Sequence, residues 1–217
     1  MAEEVGRSGV LWSHPESARA DGNLLVMLHG ATSSERDPFE RLVPLLPADL
    51  IVAAPRGPVA EGNGYSWVSP EIRARASTDR EVAEVGNQIA GSVLTWLDGL
   101  SHFRSLGILG ASQGACVAFQ MLRAQPCRIN YAINLSGYCL PGTEAGDLEL
   151  QRTRPPVFWG RGDVDEVIPV DYVRRTSIWL SHHSALTERT YPMGHELATE
   201  ELEDAAAFIL EHVTACP

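Results

Sequence analysis

Apolar runs of strand length alternate along this chain with longer segments of helical pattern, and this order constrains the fold more than any other feature. The runs are "NLLVMLH" (23–29), "LIVAAP" (50–55), "LGILGA" (106–111), "YAINLS" (131–136), "PVFWG" (156–160) and "LTERTYP" (186–192). The first is almost continuously apolar, as a strand buried on both faces must be. "GVLWSH" (9–14) adds a candidate edge strand. Between the runs lies "STDREVAEVGNQIAGSVLTWLDGL", capped at Ser77 or Thr78, with Val82, Val85, Ile89, Val93, Trp96 and Leu97 on one face. "QGACVAFQMLRA", bounded by Pro126, and "VDYVRRTSIWLSHH" follow. "ELATEELEDAAAFILEHV" closes the set, its acidic residues in the first turns where the helix dipole favours them. Strands alternating with helices predict a mostly parallel central sheet flanked by helices on both faces, an α/β protein. Ligands of such sheets bind beyond the carboxyl ends of the strands. With no internal repeat and no long linker, residues 1–217 read as a single domain.

The charges exclude several functions. A formal net charge of -11 argues against nucleic acid, whose phosphates need a basic face. All 17 cationic residues are arginine. Without lysine the chain cannot form a Schiff base, anchor pyridoxal phosphate, build a Ser-Lys dyad or complete a P-loop. Cys116, Cys127, Cys139 and Cys216 fall at irregular spacings with no CxxC pair. That pattern predicts free thiols in a reducing compartment rather than a disulfide or zinc framework. The acidic start "MAEEVGRSGV" lacks the apolar core of a signal peptide, and no segment reaches transmembrane length. The expectation is a cytoplasmic protein.

Gly110-Ala111-Ser112-Gln113-Gly114 matches G-x-S-x-G between a strand run and a helix run. A serine projecting its oxygen from such a turn must take strained backbone angles, so the residues two before and two after it must be small. The helix that follows aims its N–H groups and positive dipole end at the serine. Two plainer readings compete: a helix cap, or a phosphate loop, the latter lacking both GxGxxG spacing and a lysine. A serine hydroxyl attacks only with a base, and the base needs an orienting partner. In this arrangement the chain order is Ser, then an acid, then His. His182 and His183 fall within a helix and His212 near the end of the last one, so all three read as surface residues. His195, in "YPMGHEL", stands on a loop that opens the final helix and can reach back over the sheet. Asp163 and Asp165, in "PVFWGRGDVDEVIP", both have a suitable address for the acid. The Gln113 N–H, directly after the nucleophile, is one donor for a tetrahedral oxyanion, and the loop His29-Gly30-Ala31 should supply the other.

"LHGATSS", "GASQGA", "GRGDVDEVIP" and "PMGHE" occur in this order over nearly the whole chain. In these motifs the chain resembles the phospholipase/carboxylesterase family of α/β-hydrolases, which includes the acyl-protein thioesterases. The resemblance implies an α/β-hydrolase fold; the lack of a strong helix pattern between Ser136 and Pro155 predicts no large lid domain. It prefers Asp165 over Asp163, because Gly162, Asp165, Ile168 and Pro169 fit the family's G-x-x-D-x-x-V-P. It assigns the second oxyanion donor to the Ala31 backbone and leaves His29 to brace that loop. "NGYSWV" (63–68) is similar to the family's aromatic segment near the acyl site, so Trp67, with Tyr65, is a candidate for lining the substrate pocket, equally well a packed loop aromatic. Ala111 replaces the family's usual phenylalanine, a change that could reshape the pocket.

The resulting expectation is a serine carboxylester hydrolase that acts on short-chain or soluble esters through a Ser112-His195-Asp165 triad, with no metal or organic cofactor. The partner is a small-molecule ester, with no nucleic acid and no membrane span; a homodimer is left open. The segment between Ser136 and Pro155 is the only obvious place for a cap. Rival readings are an acyl-protein or acyl-CoA thioesterase or lysophospholipase using the same site, and a hydrolase-fold binding protein with a dead site. A dienelactone-hydrolase-like enzyme would carry cysteine where this chain has Ser112.

Overall fold

The computed structural model describes residues 5–6 and 9–213. Cys216 lies outside them. One sheet organises the chain: β1 (Val10–Trp12), β3 (Ile51–Pro55), β2 (Asn23–Leu28), β6 (Ser105–Ala111), β7 (Tyr131–Leu135), β8 (Pro156–Gly162) and β9 (Ala185–Tyr191), in that spatial order. Only β1 runs antiparallel, against β3; the other ladders are parallel. The strands β2, β3, β6 and β7 are buried almost throughout, as strands covered on both faces must be.

Helices cover both faces. On one side α3 (Asp79–Asp98), α4 (Gln113–Ala124) and α6 (Val170–His183) enclose a core that includes Val26, Ile108, Phe119, Met121 and Trp159. On the other, α1 (Arg36–Leu42) and α7 (Thr199–Val213) enclose a second core with Met27, Leu109, Ile133, Phe158 and Phe208. α3 begins in a capping box: Thr78 accepts from the Glu81 N–H, and Glu81 accepts from the Thr78 N–H. The strand order reverses between β2 and β6, where the chain winds outward to each side, and a crevice opens there at the carboxyl ends. Among the described residues no helix is long and apolar enough to cross a membrane.

The structure adds elements that the sequence pattern does not announce: α1, α2 (Pro70–Arg75), α5 (Asp147–Thr153) and a two-stranded hairpin of β4 (Val59–Glu61) and β5 (Gly64–Ser66). One histidine assignment changes. His183 is buried rather than on the surface; it stacks on Trp179 at 4.4 Å and its Nδ1 lies 2.6 Å from the Trp179 carbonyl. Here α6 packs against α5, whose Gln151 meets the other ring nitrogen at 3.1 Å. His182 is exposed and His212 half-buried against Phe208.

Candidate active site

Ser112 stands at the break between β6 and α4 with φ 49° and ψ -114°, a strained conformation for a residue with a side chain. Its two flanking glycines explain the motif. A Cβ on Gly110 would strike the Gly114 carbonyl and the Ala115 backbone, and one on Gly114 would strike the carbonyls of Leu28 and His29. The turn is therefore pressed against both its own helix and the end of β2.

Two loops bring the partners. His195 Nε2 lies 2.8 Å from Ser112 Oγ, and His195 Nδ1 lies 2.7 Å from Asp165 Oδ2. An ionised carboxylate only accepts, so Nδ1 carries a proton; in the neutral ring Nε2 is then the acceptor that faces the serine hydroxyl. The other oxygen, Asp165 Oδ1, accepts from the N–H groups of Val167 (2.8 Å) and Ile168 (3.1 Å). These bonds account for the spacing from Asp165 to Pro169, which leads into α6. Burial works to raise the Asp165 carboxyl, but the hydrogen bonds from His195, Ile168 and Val167 outweigh it and hold it below the ordinary carboxylate range. Asp163 is exposed, and its backbone N–H is tied to the Tyr191 carbonyl.

Gly30 and Ala31 follow β2 and share a cleft with Ser112; a Cβ on Gly30 would lie 3.5 Å from the serine Cβ. His29 braces this loop from beneath. Its Nδ1 lies 2.7 Å from the Gly30 carbonyl and its Nε2 accepts the Gly57 N–H at 2.9 Å. Burial lowers its pKa, which keeps the ring neutral and able to accept there. The hairpin side clamps the same loop, because Ser66 Oγ accepts the Thr32 N–H at 3.0 Å and the Ser33 carbonyl accepts the Tyr65 N–H at 2.6 Å.

Two hollows adjoin Ser112. The larger, about 390 Å³, is walled by Val68, Val85, Val117, Leu140, Ile168 and Tyr172 among others, and Cys116 lines it. Burial pushes the Cys116 thiol up to about 12, so it is no competing nucleophile. The smaller, about 280 Å³, has Ser33, Asp37, Arg41, His195 and Glu196 around it, with Ala111, Leu135 and Leu197 in its wall.

Trp67 and Tyr65 line neither hollow. Trp67 is 1% exposed, its indole N–H donates to the His29 carbonyl at 2.8 Å, and its backbone N–H donates to Gln113 Oε1 at 2.6 Å. Tyr65 lies under the Arg56 guanidinium, 4.4 Å from its ring centre, beside the bidentate pair of Arg56 with Glu35. Both aromatics therefore brace the loop after β2, and the cavity wall nearby is Val68. Sequence reasoning also missed the role of Gln113's side chain, which fastens the residue after the hairpin to the Ser112 turn. The cover of the cavity comes from α2, through Ile72, Arg73 and Ala76, as much as from Tyr138 and Leu140 in the segment expected to supply it.

Strand order, sharp serine turn and hydrogen-bonded acid–imidazole pair define an α/β-hydrolase. The chain belongs to the phospholipase/carboxylesterase family, whose sequence profile matches residues 15–213. It is 26% identical to acyl-protein thioesterase 1 of Kluyveromyces lactis over 68% of this chain and 66% of that protein. The other curated relatives are matched over about half their length. Among solved structures, acyl-protein thioesterase 2 of Zea mays superposes with a TM-score of 0.69 at 18% identity, covering 94% of this chain and 99% of that one. Esterase PE8 superposes at 0.65 with 26% identity, covering 94% and 97%.

Proposed function

We propose that the protein is a serine carboxylester hydrolase for short-chain or soluble esters. One observation carries this reading: an unbroken hydrogen-bonded chain from Ser112 Oγ through His195 to Asp165, at 2.8 and 2.7 Å, joining residues 83 and 30 positions apart. Ser112 Oγ bonds to the acyl carbon while its proton passes to His195 Nε2. The carbonyl electron pair moves onto oxygen, held by the N–H groups of Gln113 and Ala31. When the pair returns, the alcohol leaves with the proton from His195. Water then repeats the sequence on the acyl-enzyme and releases the acid. Asp165 stabilises the imidazolium formed in each half. These steps call for no metal or organic cofactor. The larger cavity takes the acyl group, and the cleft ringed by Asp37, Arg41 and Glu196 takes the alcohol.

Fluorophosphonate labelling tests this directly. The wild-type protein should be labelled at Ser112, and Ser112→Ala should lose both label and turnover; hydrolysis that survives the substitution overturns the reading. A thioesterase reading has support from the named relatives, and matched ester and thioester substrates separate the two by kcat/KM. The free thiols Cys116, Cys127 and Cys139 support a reducing, cytoplasmic setting. A homodimer, left open by the sequence, is decided by sedimentation.

A further inference from the structure

Below the triad lies a carboxyl group that the steps above do not use. Glu201, in the first turn of α7, has no exposed surface, and neither carboxyl oxygen has a partner of hydrogen-bonding geometry. The side chain is wedged against β8: a Cβ on Gly160 would stand 2.5 Å from Glu201 Oε1. Few charged or titratable groups face it. Arg41 of α1 and the Ala198 N–H favour its ionised form, and Tyr191 of β9, whose hydroxyl donates to Asp204 at 2.7 Å, also faces it. Burial outweighs them and raises Glu201 to about 8.

The position of this carboxyl matters because of what surrounds it. The loop of residues 192–198, which carries His195, is tied to the Asp165 loop by Val164 N–H to Met193 O (3.2 Å), next to the bond from Asp163 N–H to Tyr191 O at the end of β9 (2.9 Å). Gly162 packs against the carbonyls of Met193 and Gly194, and Arg41 holds the Leu197 carbonyl at 2.7 Å. Glu201 meets β8 at Gly160, at the start of α7, while Phe208 further along the helix packs on Phe158. We propose that Glu201 is a positioning residue for His195: seated against Gly160, its carboxyl sets the distance between the start of α7 and β8, the strand that leads into the Asp165 loop. This rests on the hydrolase reading above.

The consequence is a pH dependence of known sign. In the unfolded chain the glutamate ionises near 4.5; in the folded chain it keeps its proton up to about 8. Stability is therefore full below the unfolded value and is lost as pH rises through the folded one. On this proposal, ionising Glu201 loosens its seat against Gly160, and the start of α7 shifts from β8 and carries His195 away from Ser112.

The test measures kcat and KM on a soluble ester from about pH 6 to about pH 10, with fluorophosphonate labelling of the same samples. In the wild type kcat should fall on the alkaline side with a midpoint near 8 while KM holds. Glu201→Gln, which cannot ionise, should lose that fall. Gly160→Ala should lower kcat about tenfold or more, as a misplaced base does, and Glu201→Ala in the same chain should restore much of it. An alkaline fall that persists unchanged in Glu201→Gln overturns the proposal, as do Gly160→Ala and Glu201→Ala effects that simply add. If Glu201→Gln does not fold, the Gly160 pair decides alone. A wild type that never labels at Ser112 sinks the hydrolase reading; one that labels but ignores Glu201 sinks only this one.

Discussion

Ser112 separates two hollows built by different means. The cavity of about 390 Å³ is walled by apolar side chains from α2, α3, α4 and the segments around Tyr138 and Ile168. Its wall is fixed from behind by a buried ion network: Arg123, with 0% of its side chain exposed, holds Asp147 through two bonds of 2.8 Å and also bonds the carbonyls of Leu140 and Gly142. The cleft of about 280 Å³ has exposed Asp37, Arg41 and Glu196 around it, and the loop on its far side is braced by His29 and by the Arg56–Glu35 pair. Three charged side chains, Asp37, Arg41 and Glu196, stand around the cleft, whereas the larger cavity has one, Arg73, in its wall.

Removing the group both hollows share has the largest expected effect. Ser112→Ala should cut kcat by about 10⁵-fold or more for every ester, and Asp165→Asn by about 10³- to 10⁴-fold, with the wrong tautomer of His195; steady-state kinetics on acyl-varied and alcohol-varied series would show whether the loss is uniform. Because the folded Asp165 carboxyl is held below its unfolded value, the stability it contributes is present above the ordinary carboxylate range and is lost as pH falls through the lowered value. Arg123→Met comes next. It strands a buried carboxylate and should destabilise the fold by about 3 to 5 kcal/mol, read by denaturant titration, while weakening discrimination among acyl groups more than among alcohols. Val85→Trp should fill the cavity and lower kcat/KM for longer acyl chains by about 10- to 200-fold, leaving acetate esters nearly untouched. An equal loss on acetate would mean the cavity does not take the acyl group. The smallest effect belongs to the cleft: Asp37→Asn should cost cationic alcohols about two- to threefold in kcat/KM, an advantage that salt erases.

The amino-acid sequence by itself determined the layered α/β sheet, six of its seven strands firmly and the seventh as a candidate edge, and the addresses of Ser112, Asp165 and His195. α4 and α6 fall at the residues their patterns mark, 113–124 and 170–183. These are near-neighbour properties: strand burial, helical period and the steric demand of a sharp turn are all written within a few residues. Asp165 needed the resemblance as well, since its hydrogen bonds to Val167 and Ile168, which distinguish it from Asp163, do not show in the letters.

Only the tertiary structure decided the rest. α1, α2 and α5, of seven, six and seven residues, are too short for a period to register and are held by the surfaces they cover. Trp67 and Tyr65 brace the loop after β2 rather than line a hollow, and His183 is buried, because where a side chain points depends on partners far along the chain. Glu201 lies in an ordinary acidic first turn by pattern, and nothing local reveals that its carboxyl is shut against Gly160. Local sterics and periodicity set which elements form; the directions in which distant surfaces meet set what those elements enclose.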